Sequence, residues 1–393
     1  MEINLKDISK YLQGDKIIWG IAIVLSLFSI LVVYSATSAL AYKSAGGDTE
    51  HFLMKHAFLV MLGLGAMWLC HRIDYRYYSR ISRFALIASV ALLLFALNFG
   101  ATINEASRWI VIPFVNQSFQ PSDLAKLALL INMASMLSKR QNSLHEFQRA
   151  IVPMMMWAGV ICGLIAMSDW SGGLILFITC ALLMFIGRVP LRHLGTMMII
   201  GLIAGAFAFS FGQRGNTVSS RLKAFTATET EGIHFHTEQA NIAIALGGFT
   251  GVGAGRSIQR NFLPNPFSDF IFAIIVEEYG FLGALAIISL YLILLYRGML
   301  IVARAKGVFG GLLAAGITFS LILQVVIHMA VNVNLLPITG LPLPLLSMGG
   351  TSLLFTGMAI GIVLSVSRGV EKDSEVDLFQ GTVKHKNLRR KVA

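Results

Sequence analysis

Charge is what this sequence has least of. Of its 393 residues, 13% are Asp, Glu, Lys or Arg, about half the share in an ordinary soluble domain. Cysteine is rarer still. Cys70, Cys162 and Cys180 lie in or at the ends of apolar runs with no CxxC spacing. That leaves no disulfide framework and no cysteine-rich metal site to argue for, and the three read as packed free thiols. Basic residues are not interleaved with aromatics in the manner of a single-strand-binding surface. The net charge of +11 is therefore not a nucleic-acid footprint. No internal repeat of the transporter kind is present.

What the sequence does have is apolar length. It is 56% hydrophobic, with a mean hydropathy of +0.73. No soluble domain of this size needs so much apolar material, so the fold class is an all-α polytopic membrane protein. Runs long enough for about ten transmembrane helices fall at 17–41, 52–70, 84–100, 121–138, 150–167, 171–187, 194–211, 270–296, 309–333 and 350–367. The fifth and sixth are separated only by "SDWS". The first run is too long for the core of a signal peptide and reads as an uncleaved span. Most of the 31 Lys and Arg residues fall in segments on the side of the N-terminus. This predicts both termini in the cytoplasm, in agreement with an even number of spans. The chain then divides into a cytoplasmic N-terminus 1–16, a ten-span domain 17–367, and a basic cytoplasmic tail 368–393 whose composition predicts disorder.

The outer face receives the long connections, about 101–120, a large loop of about 212–269 between spans seven and eight, and a Pro- and Gly-rich segment of about 334–349. Long loops are where function is first sought. The glycines at 247, 248, 251, 253 and 255 could cradle a phosphate. No strand precedes them, however, and no Gly-Lys-Ser/Thr follows. His234 and His236, at i and i+2 without a third ligand, make poor evidence for a metal.

Ionisable residues inside apolar runs are candidates for function. In "FQPSDLAKLALLI", Asp123 and Lys126 share one helix face near its outer end, as a structural ion pair or as a cation site turned to a polar cavity. Arg108 lies just upstream in "EASRWI". In "LPNPFSDFIFAIIVEEYG", two prolines favour an extended approach and Asp269 sits at the first turn of the eighth span. There it could cap the helix, as could Ser268. Its neighbours Phe267, Phe270 and Phe272 would desolvate it and raise its pKa, as a base working near neutrality requires. Glu277 lies about 12 Å further along the axis and is rotated by about 80°, while Glu278 is rotated by about 180°. Neither can pair with Asp269. Glu277 could line the same cavity deeper down, and Glu278 would meet another helix or a basic partner. In the tenth span Gly357 and Gly361 form a GxxxG packing signal.

"EASRWI", "QPSDLAKLA", "ALGGFTGVGAG", "FLPNPFSDFIFAIIVEEYGFLG" and "LLPITGLPLPLLSMGGTSLL" occur in the order of the shape, elongation, division and sporulation (SEDS) family. The chain resembles that family, the RodA and FtsW group, over nearly its whole length. The resemblance implies ten transmembrane helices and a peptidoglycan glycosyltransferase. Such an enzyme polymerises lipid II, an undecaprenyl-pyrophosphate-linked disaccharide peptide, outside the cytoplasmic membrane. It works beside a class B penicillin-binding protein. The family's essential outer-loop aspartate falls on Asp269, its fourth-span lysine on Lys126 and the preceding acid on Asp123. The sequence departs from the family at "SDWSGG", where only Asp169 matches cleanly, at Met348 and at His236. Ser268 and the "EEYG" ending resemble the division branch, FtsW, more than RodA. This implies a role at the septum of the inner membrane, among other division proteins.

The expected mechanism follows from the substrate. A good leaving group needs position, a base and positive charge. Asp269 is the expected base. Lys126, Asp123, Arg108, Glu277, Ser347, Gly349 and Gly350 are the expected substrate-binding residues. A divalent cation such as Mg or Mn would bridge the pyrophosphate. Rival readings are a lipid II flippase, which would hold its charges at mid-membrane, the elongation paralogue, and a scaffold for division proteins.

Overall fold

The computed structural model describes residues 12–44, 49–103, 106–112, 117–211 and 233–392. Inside hydrocarbon each backbone polar group must be satisfied within its own segment, so the apolar runs become helices. These are α1 (Lys16–Ser44), α2 (Thr49–Arg72), α3 (Tyr75–Phe99), α4 (Pro121–Lys139), α5 (Val152–Ser168), α6 (Trp170–Ile186), α7 (Leu191–Phe211), α8 (Ile233–Gly247), α9 (Ile271–Arg304), α10 (Val308–Asn332) and α11 (Gly350–Val392). Each expected span lies on one of them, and α8 is an addition between the seventh and eighth expected spans. Between α3 and α4 a small antiparallel sheet, β1 (Ala101–Ile103), β2 (Ala106–Ile112) and β3 (Gln117–Phe119), runs in sequence order.

Among the described residues seven helices are long and apolar enough to cross a membrane. The expected number was about ten. The difference lies in α4, which carries Asp123, Lys126 and Lys139 in 19 residues, in the 17-residue α6, and in α7, of which only Leu191–Ile203 counts as an apolar stretch among the described residues. The chain is a helical membrane protein. α11 continues as helix through residues 368–392. Extending a formed helix is far easier than nucleating one.

The "SDWS" break is real. Asp169 ends α5 and caps α6, its side chain accepting from the Gly172 amide at 3.1 Å. The GxxxG signal is a packing device. A Cβ at Gly357 would stand 2.1 Å from the Gly63 carbonyl of α2, and one at Gly361 would stand 2.3 Å from that of Met67. Small residues there let the backbones of α11 and α2 meet. At the other end of the bundle Asp15 caps α1 through the amides of Ile17 and Ile18 at 3.0 and 3.1 Å. The same carboxylate takes Arg297 of α9 at 2.5 and 2.7 Å.

Helix α9 is two helices in one. Gly280 has φ 65° and ψ −164°, which breaks the run at the end of "EEYG". A Cβ there would lie 2.4 Å from the Gly251 nitrogen and 2.5 Å from the Phe249 carbonyl oxygen, so the kink is where the glycine-rich loop packs backbone to backbone. Val252 and Gly253 donate to the carbonyls of Glu277 and Glu278 at 2.9 and 3.0 Å. Gly247 and Gly251 thus serve close packing on α9.

Candidate active site

The segment before α9 is held by its backbone. Asn265 takes a left-handed conformation, φ 52°, and its carbonyl accepts the amides of Ser268 and Asp269 at 3.0 and 3.1 Å. The carbonyls of Phe267, Ser268 and Asp269 are each taken by a different donor. Phe267 accepts from the Met348 amide at 2.9 Å. Ser268 accepts from Ser347 Oγ at 2.8 Å, and Asp269 from Asn332 Nδ2 at 3.1 Å. Every backbone group from Phe267 to Asp269 that these bonds reach is fixed without the helix's help.

Asp269 does not cap α9. Phe270 occupies the capping position without a side-chain bond. The work falls to Asn332, the last residue of α10, whose Oδ1 accepts from the Ala273 amide at 3.1 Å. Ser268 does not cap either, since its hydroxyl donates to Asp269 Oδ1 at 3.1 Å. The Asp269 side chain is half-buried, with Phe270 and Phe272 in the core and Phe267 packed against it. A side chain at Gly340 would stand 3.9 Å from Asp269 Oδ2, so the 337–349 loop passes alongside the carboxylate.

That loop is built largely by polar contacts with α9 and α10. His328 Nδ1 meets the Leu341 carbonyl at 2.7 Å, Gln324 Nε2 donates to that of Pro342 at 2.7 Å, and Tyr291 Oη to that of Pro344 at 2.5 Å. Ser347 is buried, and besides donating to Ser268 its hydroxyl accepts from the Leu343 amide at 2.7 Å. It holds the loop to the Asp269 segment. Gly349 lies against Pro342, and a Cβ on Gly350, the first residue of α11, would stand 3.5 Å from the Ser118 carbonyl oxygen. The sheet docks on this first turn, with Gln120 donating to Thr351 Oγ1 at 3.1 Å and Phe119 against Phe355, ring centres 5.9 Å apart. Arg108 lies on β2, and its side chain is outside the described residues.

Lys126 and Asp123 pair at 3.2 Å, with 22% and 11% of their side chains exposed. They stand in an open cleft between α4, α10 and α11 that holds about 470 Å³ of free space, counting solvent at its mouth. Ser320, Gln324, Ser352 and Thr356 supply the rest of its polar wall. Among the described residues Asp123 Oδ2 has no hydrogen-bond partner. Gln324 joins this cleft to the loop beside Asp269. The expected cation finds a weak host here. Among the described residues no group of three or more His, Cys, Asp or Glu side chains converges. A cation in the cleft would take most of its ligands from the substrate.

The two glutamates do something else. Glu277 is fully buried and accepts from the amides of Ile258 and Gln259 at 2.8 and 3.2 Å and from the Ser257 hydroxyl. The carboxylate is committed to the 257–259 turn, so its expected place lining the cavity is not found. Glu278, also buried, accepts from Ser35 of α1 and from the Ser257 amide at 3.4 Å. It meets another helix, as its rotation predicted. Asn332 and Gln324 escaped a search that looked for charges. Their signal was a polar amide inside an apolar run.

The sequence pattern of the FtsW, RodA and SpoVE family of cell cycle proteins matches residues 15–372. A relative from Geobacter sp. (strain M18), named a probable peptidoglycan glycosyltransferase FtsW, is 33% identical over 358 residues, or 90% of this chain and 96% of the relative. A chain in a solved peptidoglycan synthase complex superposes with a TM-score of 0.71 at 26% identity, covering 91% of this chain and 98% of that one. The rod shape determining protein RodA of Thermus thermophilus gives a TM-score of 0.66 at 26% identity, covering 91% of this chain and 98% of its own. With its arrangement of helices, its half-buried Asp269 and its charged cleft all set within a match of this extent, the chain belongs to the FtsW, RodA and SpoVE family.

Proposed function

We propose that this membrane protein is a peptidoglycan glycosyltransferase that polymerises lipid II on the outer face of the cytoplasmic membrane, in the division branch of its family. The observation that carries the reading is the shared loop. Asp269 at the outer start of α9 lies beside the segment 337–349, and Gln324, which lines the Asp123–Lys126 cleft, donates to Pro342 of the same segment.

In the proposed reaction a sugar hydroxyl of the acceptor attacks the anomeric carbon of the donor. The carbon–oxygen bond to undecaprenyl pyrophosphate breaks, and Asp269 takes the hydroxyl proton. A single displacement inverts the anomeric carbon and needs no second carboxylate. Glu277, engaged elsewhere, is not required. Lys126, steered by Asp123, faces the charge that develops on the leaving pyrophosphate, and Arg108 on β2 is the second cation proposed for it. Both termini lie in the cytoplasm, and a class B penicillin-binding protein crosslinks the strands at the septum. The peptidoglycan synthase complex among the structural neighbours supports such a partner.

The test is polymerisation of purified lipid II by the reconstituted chain, with and without its transpeptidase partner. Asp269→Asn, inserted and melting like the parent, should lose about 10²- to 10⁴-fold in rate. Near-parental activity would remove Asp269 as the base.

A further inference from the structure

We infer that Asn332 is a positioning residue for Asp269, acting through the backbone and not through the carboxylate. This rests on Asp269 being the base of the proposed reaction. Asn332 is 1% exposed, and its amide is used on both sides. Nδ2 donates to the carbonyls of Asp269 at 3.1 Å and His328 at 2.9 Å, and Oδ1 accepts from the Ala273 amide at 3.1 Å. The bonds fix which way the amide faces. Turned over, it would set its oxygen against two carbonyls and its NH₂ against an N–H donor.

The three bonds join three pieces of chain. One lies within α10 itself, so the side chain is anchored to a rigid helix. The second starts α9. The third holds the peptide that links Asp269 to Phe270, and the plane of that peptide sets the direction of the Asp269 side chain from its Cα. The neighbouring carbonyls are held by Met348 and Ser347 from the 337–349 loop. Asn332 is the hold on this segment that comes from a membrane helix. A base must sit within hydrogen-bond reach of the proton it removes. Displacement of reacting groups by about 1 Å can cost about a hundredfold in rate.

Two substitutions separate positioning from folding. Asn332→Asp keeps the size and the acceptor for Ala273 but removes both donated bonds, while Asn332→Ala removes all three. With the full-length chain and its partner in vesicles, both variants should lower kcat for lipid II by about ten- to a hundredfold. KM should stay within about twofold, because the Asp123–Lys126 cleft is untouched. In an Asp269→Asn background, adding Asn332→Asp should change the residual rate by less than about twofold, as expected for residues acting as one unit. Unchanged kcat in both single variants, a loss confined to KM, or multiplying losses in the double variant would each overturn the inference. Asp269→Asn alone, measured in parallel, tests the base, so the two failures are distinguishable.

Discussion

Glu277 offers a sharp test of how the outer loop is held. Replacing it with alanine removes the acceptor for the buried Gln259 amide, the buried Ser257 hydroxyl and the part-buried Ile258 amide. An orphaned buried donor costs roughly 1–3 kcal/mol, so the two buried donors alone place the loss at roughly 2–6 kcal/mol. Spent locally, that loss accelerates amide exchange in the turn by about 30-fold to about 10⁴-fold. Glu277→Gln keeps an oxygen for the amides and turns an NH₂ toward Ser257, so its effect should be about tenfold or less. Hydrogen–deuterium exchange of the purified protein, read on peptides covering 254–263, makes the measurement. Unchanged exchange in the alanine variant would refute the reasoning. A glutamine variant with parental exchange but lost polymerisation would return Glu277 to the substrate.

At Gly280 any Cβ meets backbone atoms of Gly251 and Phe249 at 2.4 and 2.5 Å, and the residue holds φ 65°. Gly280→Ala should therefore lower the melting temperature clearly, whereas Gly159→Ala, with nothing within 4 Å, should not; equal melting of the two would contradict the packing described. Lys126→Met should cut kcat/KM for lipid II by about tenfold or more and leave Asp123 buried without its 3.2 Å partner. Removing both charges, as Asp123→Asn with Lys126→Met, should recover the melting temperature but not the activity. Recovered activity would make the pair structural.

What could be read from the sequence is what depends on neighbours along the chain. Hydropathy marks where helices lie, because hydrocarbon leaves a span few alternatives. The GxxxG pair is local in the same way, as is Asp169 at the break between α5 and α6. So are the different faces of Glu277 and Glu278, which follow from helical pitch alone. Asp269 and Lys126 stood out because a charge inside an apolar run is costly wherever the fold places it.

The tertiary structure decided the partners, since those come from remote parts of the chain. Asn332 reaches Asp269 across 63 residues and Ser347 reaches Ser268 across 79. No periodicity records such pairings. Helix pitch put Glu277 on a face that could have lined a cavity, but the 257–259 turn arrived there first. The first turn of α9 looked capped by its own Asp269 or Ser268, yet the cap came from the end of α10. Local sequence proposes which groups need a partner, and the packing of helices against loops decides which partner each one finds.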